Sequence, residues 1–78
     1  MDRHVVAVAN EEARHRICRL LESDGYKPAL CCASGAEAIR AVRKMGSAIV
    51  ICGFKLRDMT ANTLAADLRG TAVLLVVS

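Results

Sequence analysis

The stretch Ala48 to Asp58, "AIVICGFKLRD", carries a run of four apolar residues and a cysteine into a polar, basic loop through Gly53. A short continuous apolar run bounded by punctuating residues is expected to form a strand buried on both faces of a parallel sheet. The residue after such a run stands at the carboxyl edge of the sheet, where α/β proteins place their ligands. Here that residue is Gly53, which has no side chain. It reads either as a turn glycine or as a site lacking its reactive group.

On the amino-terminal side, Ser34-Gly35-Ala36-Glu37 has the S-x-x-E form of a capping box. It opens a predicted helix whose Ala38, Ile39, Val42 and Met45 form an apolar stripe, closed by Gly46. Before it, "KPALCCA" reads as a strand with Pro28 near its start, which suits a sheet edge because proline has no N–H to donate. Earlier still, Asn10 is an able N-cap followed by Glu11 and Glu12 in the first turn. The helix it opens has Ala13, Ile17, Leu20 and Leu21 on one face and stops at Asp24-Gly25. "HVVAVA", His4 to Ala9, is the first strand. On the carboxyl side, Thr60 caps a third helix, "ANTLAADLR", ended by Gly70, and "AVLLVV" is a fourth strand.

The order is therefore βαβαβαβ over a single domain, residues 1–78. That alternation calls for a parallel sheet with right-handed crossovers. The positions expected at its functional edge are Ala9 to Glu12, Gly53 to Met59, and Val77 with Ser78.

Composition narrows the function. Of 78 residues, 54% are hydrophobic but only Tyr26 and Phe54 are aromatic, which suits an aliphatic core and leaves no platform for base stacking. A net charge of +3 does not demand a polyanionic partner. With no signal-like h-region and no apolar stretch long enough to span a membrane, a cytoplasmic location without membrane contact is expected. The four cysteines, Cys18, Cys31, Cys32 and Cys52, are then expected as reduced thiols. Cys31 and Cys52 would act as small strand hydrophobes, with Cys32 or Cys18 partly exposed. Adjacent Cys31 and Cys32 point to opposite faces of a strand, so no bridge between them is expected.

No CxxC pair or His-x3-His spacing indicates a metal, and no glycine-rich phosphate loop indicates a nucleotide. No Ser or Cys has an evident base partner, so no cofactor and no catalysis are expected. Lys55 and Arg57, beside Gly53, are the candidate contacts for an anion or an acidic partner. Arg14, His15, Arg19, Arg40, Arg43, Lys44 and Arg69 read as solvated surface.

The succession of elements, with "LLESDGY", "ASGAEAI" and "SAIVICGFKLRDMTA", resembles the receiver domain of two-component response regulators. The resemblance implies a flavodoxin-like sheet of order 2-1-3-4-5 and covers three and a half of the family's five βα units. Receivers carry an acidic Mg²⁺-binding pair after the first strand and a phosphoacceptor Asp at the end of the third. A Ser or Thr follows the fourth strand and a Lys the fifth. Aligned here, the phosphoacceptor position falls on Gly53 and the acidic pair on Val8, Ala9 or Asn10. The Ser/Thr position falls on Val77 or Ser78, and the Lys lies beyond the chain. The resemblance thus implies a pseudo-receiver that cannot accept phosphate. "GFKLRDMTANTLAADL" further resembles the pseudo-receivers that precede ANTAR domains, the RNA-binding modules of bacterial antitermination regulators; those RNA-binding helices are not in this segment, which is not expected to bind nucleic acid itself.

The expectation is a non-enzymatic signalling module acting through protein association. The rivals are a small domain binding a phosphorylated metabolite through the Lys55/Arg57 loop, and a fragment serving as an assembly partner. An end after the fourth strand would leave "AVLLVV" as an unblunted edge. Homodimers or higher oligomers are then expected, joined through Val73, Leu75 and Val77 or their neighbours.

Overall fold

The computed structural model describes residues 3–77. The elements are β1 (His4–Ala7), α1 (Glu11–Ser23), β2 (Leu30–Cys32), α2 (Gly35–Met45), β3 (Ala48–Gly53), α3 (Ala61–Asp67) and β4 (Ala72–Val77). All pairings are parallel, and the sheet order is β2-β1-β3-β4. This is an α/β arrangement of the flavodoxin-like type. No helix of the described residues is long and apolar enough to cross a membrane.

Local chemistry sets the helix ends where the sequence places them. Asn10 Oδ1 accepts from Ala13 N–H at 2.9 Å and opens α1. At its other end Gly25, at φ +87°, takes the left-handed position that a side chain would disfavour. Tyr26 N–H then donates to Leu21 O at 2.8 Å and Gly25 N–H to Glu22 O at 3.0 Å, the paired bonds of a Schellman cap. Ser34 Oγ accepts from Glu37 N–H at 3.3 Å to start α2, and Thr60 Oγ1 accepts from Thr63 N–H at 3.4 Å to start α3.

The first strand is shorter than the apolar run suggests. Val8 N–H still donates to Cys32 O, but Val8 O accepts from the Arg14 guanidinium at 2.9 Å. The chain bends there toward the Asn10 cap instead of pairing further. At the sheet edge, β2 keeps only three residues, with Pro28 just before it.

The two faces are covered unequally. Under α2 and α3, Val5, Ala7, Val50 and Cys52 pack against Ala38, Val42, Leu64 and Leu68 in the main core. On the opposite face, Val6 and Val8 pack against Cys18, with Ala13, Ile17 and Leu21 of α1 around them. Leu20, expected in that stripe, is 61% exposed and Cys18 is buried in its place. The helix lies over β1 and β2, so its inward side turns toward Arg14 and Cys18. Strand β3, expected to be covered on both faces, buries Ala48, Val50 and Cys52 while Ile49 and Ile51 are only half-buried. Their face continues into Val73 and Leu75 of β4, which are 60% and 52% exposed.

The thiols divide differently from expectation. Cys18 and Cys31 form a disulfide between α1 and β2, and Cys31 is exposed rather than buried. Residues 6 and 31 stand opposite one another in the sheet, so Cys31 points to the face that α1 covers and meets Cys18 there. Cys32 and Cys52 are free and buried on the other face. A bridge spanning 13 positions removes about 3 kcal/mol of loop-closure entropy from the unfolded chain. Peptide mapping without reductant should recover the Cys18–Cys31 pair, and Cys31→Ser should lower the stability of the oxidised protein by about 3 kcal/mol in urea unfolding. Equal urea midpoints for oxidised and reduced protein would contradict this arrangement.

Candidate functional site

The chain leaves β1 toward one face of the sheet, through α1, and leaves β3 toward the other, through α3. Between these diverging exits, at the carboxyl ends of the strands, lies an open groove of ≈ 440 Å³. Val8, Ala9 and Asn10 come from the end of β1, and Gly53, Phe54 and Lys55 from the end of β3. Val77 of β4 and Ala13, Arg16 and Ile17 of α1 complete the lining. Most of the positions singled out from sequence therefore converge on one place. A second depression, at the opposite end of β3 and β4, is lined by residues 47–49 and 70–73 and has no charged side chain.

Gly53 is not a turn glycine. It is the last residue of β3, in register with Val77, and the positive-φ glycines are Gly25, Gly46 and Gly70. A Cβ built at position 53 would meet Val8 Cγ1 at 3.8 Å, an ordinary contact. Neither backbone conformation nor lack of space requires glycine there. A side chain at this position would share the sheet face of Val77 and reach the groove.

Among the described residues the groove lining holds no carboxylate. Val8 and Ala9 offer no side-chain oxygen, and the Asn10 oxygen is engaged by Ala13 N–H. Glu11 begins α1 away from the lining, in a shallow surface beside Asn10, Glu12 and His15. A hard divalent cation requires several oxygen ligands, which this lining does not assemble. Ser78, the other candidate for the switch-like position, lies outside the described residues.

The loop after β3 is held by its own bonds and by a distant helix. Ala61 N–H donates to Phe54 O and Leu56 N–H to Met59 O, both at 2.8 Å, and Leu56 is buried. Asp58 reaches across 23 positions, its two oxygens accepting from Gly35 N–H at 2.7 Å and Ala36 N–H at 3.0 Å. These bonds cap the start of α2 and hold the Asp58 carboxyl below its ordinary pKa. Met59 packs where a side chain at position 35 would be, so any larger residue there would have to displace the Met59 side chain. Asp58 is therefore committed to holding the loop, not to the groove.

The two basic candidates separate. Lys55 lines the groove, whereas Arg57 is outside its lining, with its N–H donating to Ala33 O at 3.4 Å. The cation that joins Lys55 is Arg16, which sequence reasoning left unassigned. Its only signal was position: it flanks the apolar stripe of α1 immediately before Ile17. Nearby thiols offer no nucleophile. Burial pushes the Cys32 thiol up to about 11, helped by the negative charge of Glu37, and burial raises Cys52 as well.

Set against family models, curated proteins and solved structures, the chain shows no match.

Asp58 provides the pH test of this arrangement. Its folded pKa is lowered, so its stabilising bonds are present in full above the unfolded value of about 4 and are lost as pH falls through the folded value. Asp58→Ala should be less stable than the wild type at pH 7, and the gap in urea midpoint should close on acidification below about pH 4. A gap that stayed constant to pH 2 would remove Asp58 from this role.

Proposed function

We propose that this chain is a degenerate, receiver-like regulatory module: a flavodoxin-like domain that has kept the frame of a phosphoacceptor site and lost its chemistry. The observation that carries the reading is Gly53, which sits on extended backbone at the carboxyl end of β3 with room for a side chain. Around it, Val8, Ala9 and Asn10 stand where an acidic pair would have to hold a cation. Phosphotransfer to a carboxylate needs that nucleophile and a metal to offset phosphate charge, and neither is supplied by these residues. The likeness of "GFKLRDMTANTLAADL" to pseudo-receivers of ANTAR-type antitermination regulators supports a place in transcription control, in the cytoplasm.

The module acts by association with a second copy of itself. The half-covered face of β3 and β4 presents Ile49, Ile51, Val73 and Leu75 without a charged side chain among them. Beside it, the outer edge of β4 pairs with no strand of the described residues. An apolar face beside an unpaired strand edge can be covered by the same face of a second copy across a two-fold axis. The reading of a phosphorylated metabolite held jointly by Lys55 and Arg57 has less support, because the two side chains do not converge on the groove.

Incubation with Mg²⁺ and acetyl phosphate should leave the mass of the protein unchanged, and Gly53→Asp alone should also remain unmodified for want of metal ligands. An acid-labile phosphoryl adduct on the wild type would refute the proposal. In sedimentation equilibrium at micromolar concentration the protein should be a dimer or larger. Leu75→Lys should shift it toward monomer; a wild type that stays a folded 8.4 kDa monomer would rule out self-association.

A further inference from the structure

We infer that the groove between β1 and β3 is a binding site for a small amphiphilic monoanion, a monocarboxylate with a short aliphatic or aromatic body. The inference concerns the same groove as the reading above but does not depend on a receiver ancestry, since it rests on what lines the groove now. Its volume of ≈ 440 Å³ lies in the range of small-molecule sites. Its floor and walls are apolar: Val8, Ile17 and Val77, with Phe54 standing 61% exposed at the rim. An exposed aromatic beside an open apolar groove gains by burial against a ligand body.

Charge selects the polar end of that ligand. Arg16 enters from α1 and Lys55 from the loop after β3, on the two sides of the groove, and among the described residues its lining holds no carboxylate. Among the described residues neither cation has a hydrogen-bond or ion-pair partner, whereas nearby Arg14 is engaged with Val8 O and Asn10 with Ala13 N–H. Two free cations at the rim of an apolar cleft favour one anionic head with an apolar body. A highly charged polar anion fits less well. The apolar lining supplies few donors for additional phosphate oxygens.

The lack of a side chain at position 53 is part of this fit. The ideal Cβ there contacts Val8, so any larger group would occupy the apolar floor between Val8 and Val77. Glycine thus enlarges the space that a carboxylate at this position would fill and charge unfavourably toward an anion.

The test is a two-dimensional amide NMR titration of the full chain with 4-phenylbutyrate, with neutral 4-phenylbutanol and inorganic phosphate as comparison ligands. The carboxylate should give saturable shifts centred on Val8, Gly53, Phe54 and Lys55. The alcohol should bind at least about tenfold more weakly, the difference expected for loss of charge-assisted hydrogen bonds. Phosphate should produce no saturable shifts at these amides. The double variant Arg16→Gln, Lys55→Gln, with both changes on exposed side chains, should keep the wild-type spectrum elsewhere and lose about tenfold in carboxylate affinity. Gly53→Leu should block the groove by volume without touching either cation. Equal binding of alcohol and acid, saturable phosphate binding at the groove, unchanged affinity in the double variant, or shifts confined to the β4 face would each overturn the inference. Phosphoryl transfer to the protein is a separate outcome, so failure here and failure of the regulatory reading are distinguishable.

Discussion

The structure depends on β1 being paired on both sides. Val5, Val6 and Ala7 are fully buried, held between β2 and β3 in the plane of the sheet and between helices above and below it. Once β1 is central, the chain must step to one side to make β2 and return across it to make β3. The exits from β1 and β3 then diverge to opposite faces, and a groove opens where they part. The candidate site is a consequence of strand order before it is a consequence of any side chain.

What makes that groove usable is a loop held from outside it. Asp58 ties the loop to the start of α2, Met59 fills the space over Gly35, and Leu56 enters the main core. Phe54 and Lys55 are thereby presented on a restrained segment, and restraint lowers the entropy lost on binding. The same bonds decide which charges the groove sees. They remove the Asp58 carboxylate from it, which leaves Arg16 and Lys55 to set its sign. The uneven cover of the two sheet faces has the opposite effect on β4, whose Val73 and Leu75 stay exposed because α1 lies over β1 and β2.

The cysteines show how composition and geometry diverge. Composition and the apolar setting of the cysteines make reduced thiols the natural expectation, and Cys32 and Cys52 meet it as buried core residues. Cys18 and Cys31 do not. Their pairing depends on the rotation of α1 about its own axis, which also turns Leu20 out to solvent. Helical periodicity allows Leu20 and Cys18 to compete for the inward side, and only the position of the helix over β1 and β2 decides between them.

By itself the sequence determined the order of elements, the parallel sheet, the edge position of β2 and the caps at Asn10, Ser34, Thr60, Gly25 and Gly46. Each of these is encoded within a few residues, by hydrophobic period, by a side-chain acceptor near free N–H groups, or by a residue that tolerates positive φ. It also located the groove, because the ends of parallel strands in such an order can meet in few ways. Tertiary structure alone decided that Gly53 is strand rather than turn, that Asp58 serves α2, that Arg16 and not Arg57 joins Lys55, and that Cys18 bonds Cys31. These outcomes rest on contacts between residues 13 to 39 positions apart, set by how a helix lies on a sheet, and no local pattern records that choice.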